Sequence, residues 1–286
     1  MSSGPICVVG MHRSGTSLTT RMLAASGIDI GPQDSLIPAD VVDNRDGYQE
    51  QESIVRLDDE LLRALGGHAS EPPELAPGWE RGAELQSFAA RARELITELY
   101  GPQPWAFKDP RASLLLPFWR IVEAEMRVVV CVRNPLEVAE SMLRRQDPYE
   151  LEHWLTMWRL HTMQALTDSA ECPRETVLYE DLIEDPEGTA IRIGRFALGS
   201  DPPPAALALA AAMPDRAARR STIDDQTLLA DPRVPRAIAL EYIELRDRVR
   251  RANAGKSAEV GSIDSRASNP ITTQPSAALL GSRHGS

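Results

Sequence analysis

The segment Gly10-Met-His-Arg-Ser-Gly-Thr-Ser17 lies between a short apolar run, Ile6–Val9, and a helix-like stretch, Ser17–Ala25. A strand, a turn of small residues and a helix in this order gather backbone N–H groups at the positive end of the helix dipole. An anion is the ligand that such a turn favours. The segment therefore predicts a phosphate-binding loop at the end of the first strand.

The spacing of this loop matches the phosphate-binding loop of nucleotide-hydrolysing enzymes, except that Thr16 stands where their lysine is found. That lysine contacts the β- and γ-phosphates, and an acidic residue after another strand helps to hold magnesium. Here the strongest predicted strand, Val128–Val132, ends in Arg133 and Asn134 instead. Both departures argue against a magnesium-bound triphosphate. A P-loop nucleotide or small-molecule kinase is therefore kept only as an alternative.

Predicted strands alternate with predicted helices along the chain. The apolar runs that predict strands are Ile6–Val9, Trp105–Phe107, Val128–Val132 and Thr176–Tyr179. This alternation predicts an α/β fold of the P-loop type, with a parallel sheet flanked by helices on both faces. The ligand site is then expected at the carboxyl ends of the strands. We expect this domain to span residues 1–253, and the Ser-, Gly- and Ala-rich residues 254–286 to form a disordered tail.

The overall charge limits the classes of partner. The 286 residues include 31 Lys and Arg against 42 Asp and Glu, a net charge of −11. A general nucleic-acid binder needs a basic face, so none is expected here. No apolar run approaches the ~20 residues that span a bilayer, and the N-terminus lacks the basic region of a signal peptide. The three cysteines have no CxxC spacing, so we expect a cytoplasmic protein with reduced thiols. The sequence carries no signal for an oligomeric state.

Four segments, read in chain order, resemble the nucleotide-binding segments of sulfotransferases that use 3′-phosphoadenosine 5′-phosphosulfate (PAPS). They are His12–Ser17, Trp105–Arg111, Val132–Pro135 with Ser141, and Tyr179–Leu182. They resemble, respectively, the 5′-phosphosulfate loop, the lysine-bearing KDP segment, the 3′-phosphate-binding strand and helix, and a late strand end that contacts the nucleotide. The chain is thus similar to bacterial members of this family and to tyrosylprotein and carbohydrate sulfotransferases.

The resemblance implies a set of donor-binding residues. For the 5′-phosphosulfate they are the guanidinium of Arg13, the backbone amides from Ser14 through Gly15 to Ser17, and the hydroxyls of Thr16 and Ser17.

For the 3′-phosphate they are Arg133, which can bind a phosphate through two N–H groups, and Ser141 in the following helix. Arg145, one turn beyond Ser141, is either a further phosphate contact or a solvated helix arginine. Tyr179 belongs to the strand end that contacts the nucleotide.

The resemblance also implies the reaction, which is in-line transfer of a sulfuryl group to a hydroxyl of a small-molecule, glycan or lipid acceptor, without a metal. Lys108 is the candidate for stabilising the charge that grows on the leaving oxygen, unless it forms a surface ion pair with Asp109. Lys108, Glu50 and Arg13 are therefore the candidate catalytic residues. A relative that binds the nucleotide without catalysis is the other alternative.

A base must take the acceptor's proton. Glu50 is the preferred candidate, Asp34 is the second and Asp43 remains open. If Glu50 is not the base, its charge merely favours the start of the next helix.

Overall fold

A parallel sheet of four strands forms the centre of the computed structural model, which describes residues 4–39, 47–145, 148–214 and 222–267. The strands are β1 (Ile6–Val9), β2 (Ala106–Lys108), β3 (Arg127–Val132) and β4 (Arg174–Leu178). Their order in the sheet is β2-β1-β3-β4, and Val8 pairs with both Lys108 and Val129. Nearly every strand residue is buried, because helices cover both faces of a parallel sheet.

Helices make up most of the remaining chain. In chain order they are α1 (Thr16–Ala25), α2 (Glu52–Ala64), α3 (Gln86–Leu99), α4 (Ala112–Val122), α5 (Pro135–Leu143), α6 (Leu151–Asp168), α7 (Tyr179–Glu184), α8 (Pro186–Leu198), α9 (Pro204–Ala212), α10 (Asp225–Ala230) and α11 (Arg236–Ala267).

The two faces of the sheet are covered by different helices. On one face, Val8 and Val129 belong to an apolar cluster with Leu23 of α1 and Ile193 of α8. On the other face, the ring of Phe107 in β2 lies 4.6 Å from the ring of Trp119 in α4, and α6 packs on β3. Side chains that alternate along a strand reach opposite faces, so each strand contributes to both layers. The predicted α/β fold with helices on both faces is confirmed.

The predicted strands are all present, within two residues of their predicted bounds. β4 starts at Arg174 and ends at Leu178, because Tyr179 begins α7. The compact unit that contains the sheet ends at Arg246, and α11 continues to Ala267. The helix thus passes residue 254, and the domain boundary that the sequence places there stays a prediction. Among the described residues, no helix is both long and apolar enough to cross a membrane.

The strand order places a crevice beside the phosphate-binding loop. From β1 the chain crosses to β2 at one edge, whereas from β3 it crosses to β4 at the other. Neighbouring strands whose connections leave in opposite directions open a crevice at their carboxyl ends, where ligands of α/β proteins bind. β1 and β3 form this pair. The segment after β1 and Arg133 after β3 therefore border one crevice.

Gly10 ends β1 where the chain passes closest to β3. Its φ is +137°, and a Cβ atom there would lie 2.3 Å from the carbonyl oxygen of Cys131. We expect Gly10→Ala to lower the free energy of unfolding by about 2–4 kcal/mol, because it adds backbone strain and a clash between two strands. Urea unfolding followed by circular dichroism measures the loss.

Gly27→Ala is the matched control for this substitution. Gly27 also has a positive φ, +93°, but a Cβ atom there would meet nothing within 4 Å. Only the conformational cost, about 1–2 kcal/mol, is expected. Equal losses at the two positions would show that β3 yields to the added methyl group.

Candidate active site

The loop after β1 has the backbone of an anion-binding turn. Arg13 and Gly15 adopt positive φ values of 68° and 89° among neighbours with ordinary φ, and α1 starts at Thr16. The first N–H groups of a helix lack helical carbonyl partners, so they can bind an anion. The N–H of Ser14 is an exception, because it donates to the Met11 carbonyl oxygen over 3.2 Å. The amides for an anion are therefore those from Gly15 onward.

Two further features of the loop fit an anionic ligand. Ser14 is completely buried, and its hydroxyl oxygen has no hydrogen-bond partner among the residues that the structure describes. A buried hydroxyl without a partner is costly unless a ligand or water satisfies it. A Cβ atom on Gly15 would lie 2.8 Å from side-chain atoms of Tyr179 and Leu182. The loop is thus packed directly against the start of α7, where sequence analysis placed a nucleotide contact.

Arg13 joins the predicted 5′ and 3′ portions of the site. Its Nε donates to the hydroxyl oxygen of Ser141 over 3.0 Å, although the two residues are 128 positions apart. Arg145 lies just after α5 and is half-buried. Its charge is one of the causes, after burial and Arg111, that hold the pKa of His12 well below its ordinary value. The partial burial of Arg145 argues against a fully solvated side chain.

Arg133 is held on several sides. It donates through Nε to a Glu137 carboxylate oxygen over 2.9 Å and through a terminal nitrogen to the Arg13 carbonyl oxygen over 3.0 Å. Its guanidinium carbon lies 4.0 Å from the centre of the Tyr179 ring. The other terminal nitrogen also contacts Glu137, at 2.9 Å. Of the five N–H groups of an arginine, three thus have partners in the described part of the chain, and two are left for a ligand.

Glu137 is not among the site residues predicted from the sequence. Its carboxylate is fully buried and fixes the guanidinium that was assigned to the 3′-phosphate. Its position four residues after Arg133 was a sequence signal for this ion pair, because charged residues at that spacing near a helix can contact each other.

Lys108 is buried at the end of β2 and has three acceptors. Its Nζ donates to Glu50 Oε1 over 2.5 Å, to the Tyr48 carbonyl oxygen over 2.9 Å and to Ser17 Oγ over 3.4 Å. Only 3% of the Lys108 side chain is exposed, and Asp109 pairs with Arg111 instead. The alternative of a surface ion pair between Lys108 and Asp109 is therefore wrong. The end of β2 thus places a buried cation beside Ser17, in the first turn of α1.

The structure separates the three candidate bases. Glu50 is 5% exposed, and burial raises its pKa although the neighbouring Lys108 cation lowers it. Glu50 precedes α2 by two residues and its carboxylate contacts Lys108, so its place is not merely that of a helix-start charge. Asp34 lies exposed in a short 3₁₀ turn, where its carboxylate is 3.5 Å from the Ser35 hydroxyl. Asp43 lies outside the described residues.

A buried acidic cluster, missed by sequence analysis, ties α2 to the segment after β2. Asp58 Oδ1 accepts from the Trp119 indole over 3.0 Å, and Asp109 Oδ1 accepts from the Arg111 backbone N–H over 2.9 Å. Arg111 also pairs with Asp59 over 2.7 Å. The Oδ2 atoms of Asp58 and Asp109 are buried without hydrogen-bond partners in the described chain. Burial, followed by the Asp109 charge, raises the pKa of Asp58 well above its ordinary value.

Asp58→Asn is expected to remove part of the pH dependence of stability. The pKa of Asp58 is raised only in the folded protein. Its contribution to stability is therefore fully present below the ordinary carboxyl pKa and is lost as the pH rises through the folded-state pKa. In this window the wild type loses up to about 1.4 kcal/mol of stability per pH unit. An asparagine side chain does not titrate, so the variant should lose this slope.

Denaturant unfolding at several pH values measures the effect of Asp58→Asn. Asp59→Asn is the control, because this half-buried carboxylate lies next to Asp58 in α2 and pairs with Arg111. An unchanged slope in Asp58→Asn would mean that another group takes up the proton.

Comparisons with known proteins bear on this geometry. The sequence model of the sulfotransferase family matches residues 5–199, more than half of the chain. The sulfotransferase domain of the olefin synthase from Synechococcus PCC 7002 is 21% identical, with a TM-score of 0.49 over 84% of this chain and 88% of that one. Sulfotransferase STF9 from Mycobacterium avium is 17% identical, with a TM-score of 0.46 over 76% of this chain and 70% of that one. Comparison with curated protein sequences gives no match.

The family match includes every strand of the sheet, the loop after β1, Lys108 at the end of β2 and Arg133 after β3. Structural similarity at the values above says nothing about individual residues, so the family rests on the sequence match. On that match, the chain belongs to the sulfotransferase family.

Proposed function

We propose that the protein transfers the sulfuryl group of PAPS to a hydroxyl of a small-molecule, glycan or lipid acceptor by in-line displacement. The arrangement of three neighbouring strand ends carries this proposal. β2 ends in Lys108, β1 leads into the loop, and Arg133 follows β3. Strands lie about 4.8 Å apart, so the two cations flank the loop from strand ends about 10 Å apart. A donor with separate 5′ and 3′ anionic groups matches this spacing.

The 5′-phosphosulfate is assigned to the loop. In the proposal the amides of Gly15, Thr16 and Ser17, the Ser14 and Thr16 hydroxyls and the Arg13 guanidinium hold it. The Ser17 hydroxyl, which the sequence also assigned to this group, donates to the Tyr48 carbonyl oxygen over 2.9 Å instead. The buried Ser14 hydroxyl without a partner and the start of α1 support this assignment.

The 3′-phosphate is assigned to Arg133, Ser141 and Arg145. The two remaining N–H groups of Arg133 support this role, as does the contact between Arg13 and Ser141, which joins the two portions of the site. Tyr179, stacked under Arg133, is assigned to the nucleotide side of the site.

Lys108 is proposed to stabilise the leaving group. As the acceptor oxygen bonds to sulfur, the bond from sulfur to the bridging oxygen breaks, and its electron pair stays on the phosphate oxygen. A fixed cation beside that oxygen acts where charge develops. Lys108 donates to three protein acceptors, and the 3.4 Å contact with Ser17 is the longest. We therefore expect Lys108 to exchange this contact for the leaving oxygen.

Glu50 is proposed as the base that accepts the acceptor's proton. Its Oε1 is bound to Lys108, so the other carboxylate oxygen is assigned to the hydroxyl. Burial raises the Glu50 pKa, which makes the carboxylate a better proton acceptor, while Lys108 favours its ionised form.

The free thiols of Cys7, Cys131 and Cys172 support a cytoplasmic location, which we include in the proposal.

Calorimetric titration with adenosine 3′,5′-bisphosphate, adenosine 5′-phosphate and magnesium-ATP tests the donor class. We expect the wild type to prefer the bisphosphate. Arg133→Ala should weaken bisphosphate binding by about 10- to 100-fold and leave 5′-phosphate binding nearly unchanged, because it removes charged hydrogen bonds to one phosphate.

The control for Arg133→Ala is Arg127→Ala, at the opposite end of β3, where the arginine binds the backbone carbonyls of Gly4 and Phe196. It should leave the affinity for both nucleotides unchanged. A wild-type preference for magnesium-ATP would instead favour the kinase alternative.

Lys108→Ala should reduce kcat by about 10²- to 10³-fold, with a much smaller change in donor affinity, because the cation acts where charge develops in the transition state. Transfer of label from PAPS to an acceptor measures kcat, and titration measures affinity. Loss of donor affinity with unchanged kcat would assign Lys108 to ground-state binding.

Glu50→Gln should lower kcat by about 10²- to 10⁴-fold and remove the acidic limb of the pH–rate profile. The wild-type rate should rise with pH through the raised Glu50 pKa, because only the ionised carboxylate accepts the proton. Glu52→Gln is the control, since Glu52 is exposed and pairs with Arg56. Wild-type activity in Glu50→Gln would exclude Glu50 as the base.

A further inference from the structure

The first turn of α5 holds the backbone of Ile223 by two hydrogen bonds. The amide nitrogen of Asn134 donates to the Ile223 carbonyl oxygen over 3.1 Å, and Glu137 Oε1 accepts from the Ile223 N–H over 3.1 Å. The Asn134 side chain also caps α5, because its oxygen accepts from the backbone N–H groups of Leu136 and Glu137. The side chains of Asn134 and Glu137 thus bind both the carbonyl oxygen and the N–H group of Ile223.

Glu137 divides its carboxylate between two parts of the chain. Oε2 binds Arg133, and Oε1 binds Ile223. The carboxylate is fully buried, and Arg133 is only 7% exposed. A buried carboxylate whose two oxygens are bound in this way has little freedom to rotate. The carboxylate therefore both balances the charge of the guanidinium and fixes its orientation.

Other contacts anchor the chain after Ile223 near the same place. The Tyr242 hydroxyl donates to Glu180 over 2.9 Å, and its ring lies 6.1 Å from that of Trp158. The Trp158 indole in turn donates to the Arg133 carbonyl oxygen over 2.9 Å. Ile223 and Tyr242 both lie outside residues 5–199, the range of the family match. A part of the chain beyond that range thus supports Arg133.

We propose that Glu137 is a positioning residue that aims Arg133 at the 3′-phosphate of the donor, and that its bond to Ile223 is needed for this role. The proposal rests on the proposed function, in which Arg133 binds that phosphate. Two effects of Glu137 oppose each other. Its negative charge repels a phosphate, whereas its hydrogen bonds keep a buried guanidinium in one orientation. Because Arg133 has so little exposure, an unpaired guanidinium would turn toward water, and the loss of orientation dominates.

Glu137→Gln tests this balance by calorimetric titration of adenosine 3′,5′-bisphosphate and adenosine 5′-phosphate. The amide keeps the size of the side chain but supplies only one acceptor oxygen. We expect bisphosphate affinity to fall by about tenfold and 5′-phosphate affinity to change less than about twofold. Unchanged or tighter bisphosphate binding, or equal losses for both nucleotides, would overturn the positioning role.

Ile223→Pro provides a second test that leaves Glu137 and Arg133 intact. Proline lacks the N–H that Glu137 Oε1 accepts, so the same selective loss of bisphosphate affinity is expected. This variant tests the proposal even if Glu137→Gln does not fold, which circular dichroism shows. Unaltered affinity in Ile223→Pro would show that the Ile223 contact does not support Arg133.

Glu175→Gln is the matched control for the loss of a buried carboxylate. Glu175 is near the amino end of β4, where its carboxylate lies 3.7 Å from Arg192. The substitution Glu175→Gln should leave the ratio of the affinities for the two nucleotides unchanged. The wild-type titration separates the two proposals. A wild type without preference for the bisphosphate would overturn the donor assignment, whereas an undiminished preference in Glu137→Gln would overturn only the positioning role.

Discussion

The close parallel pairing of β1 with β3 is the constraint on which the site depends. Gly10 leaves β1 with its α-carbon against the backbone of Cys131, a contact that leaves no room for a side chain. This approach brings the loop after β1 and the start of α5 together, so that Arg133 reaches the Arg13 carbonyl oxygen and Arg13 reaches Ser141. Residues more than a hundred positions apart thereby form one hydrogen-bonded unit.

Buried ion pairs then fix the cations on each side of the loop. Lys108 pairs with Glu50, and Arg133 pairs with Glu137. Removing two charges from water costs free energy that their attraction does not reliably recover, so such pairs are weak evidence for stability. They do give each cation one orientation before a ligand arrives. Preorganised charge of this kind is the main means by which enzymes stabilise a transition state.

Contacts with helix α2 fix the segment that follows the edge strand β2. The α2 residues Asp58 and Asp59, together with Glu50 just before the helix, contact the segment from Lys108 to Trp119 at three places. Asp58 and Asp109 are both completely buried, and burial together with the Asp109 charge raises the pKa of Asp58. Lys108 therefore depends on Glu50, a residue 58 positions earlier in the sequence.

The α/β fold and the strand ends, to within a residue, could be predicted from the sequence, because apolar runs and turn residues are local signals. The sequence also identified the loop by its small residues. How these pieces meet depends on tertiary packing, which pairs Lys108 with Glu50 instead of Asp109 and joins Glu137 to Ile223. These partners are 58 and 86 positions apart in the sequence. Their contacts follow from strand order and helix packing, which no short stretch of sequence encodes.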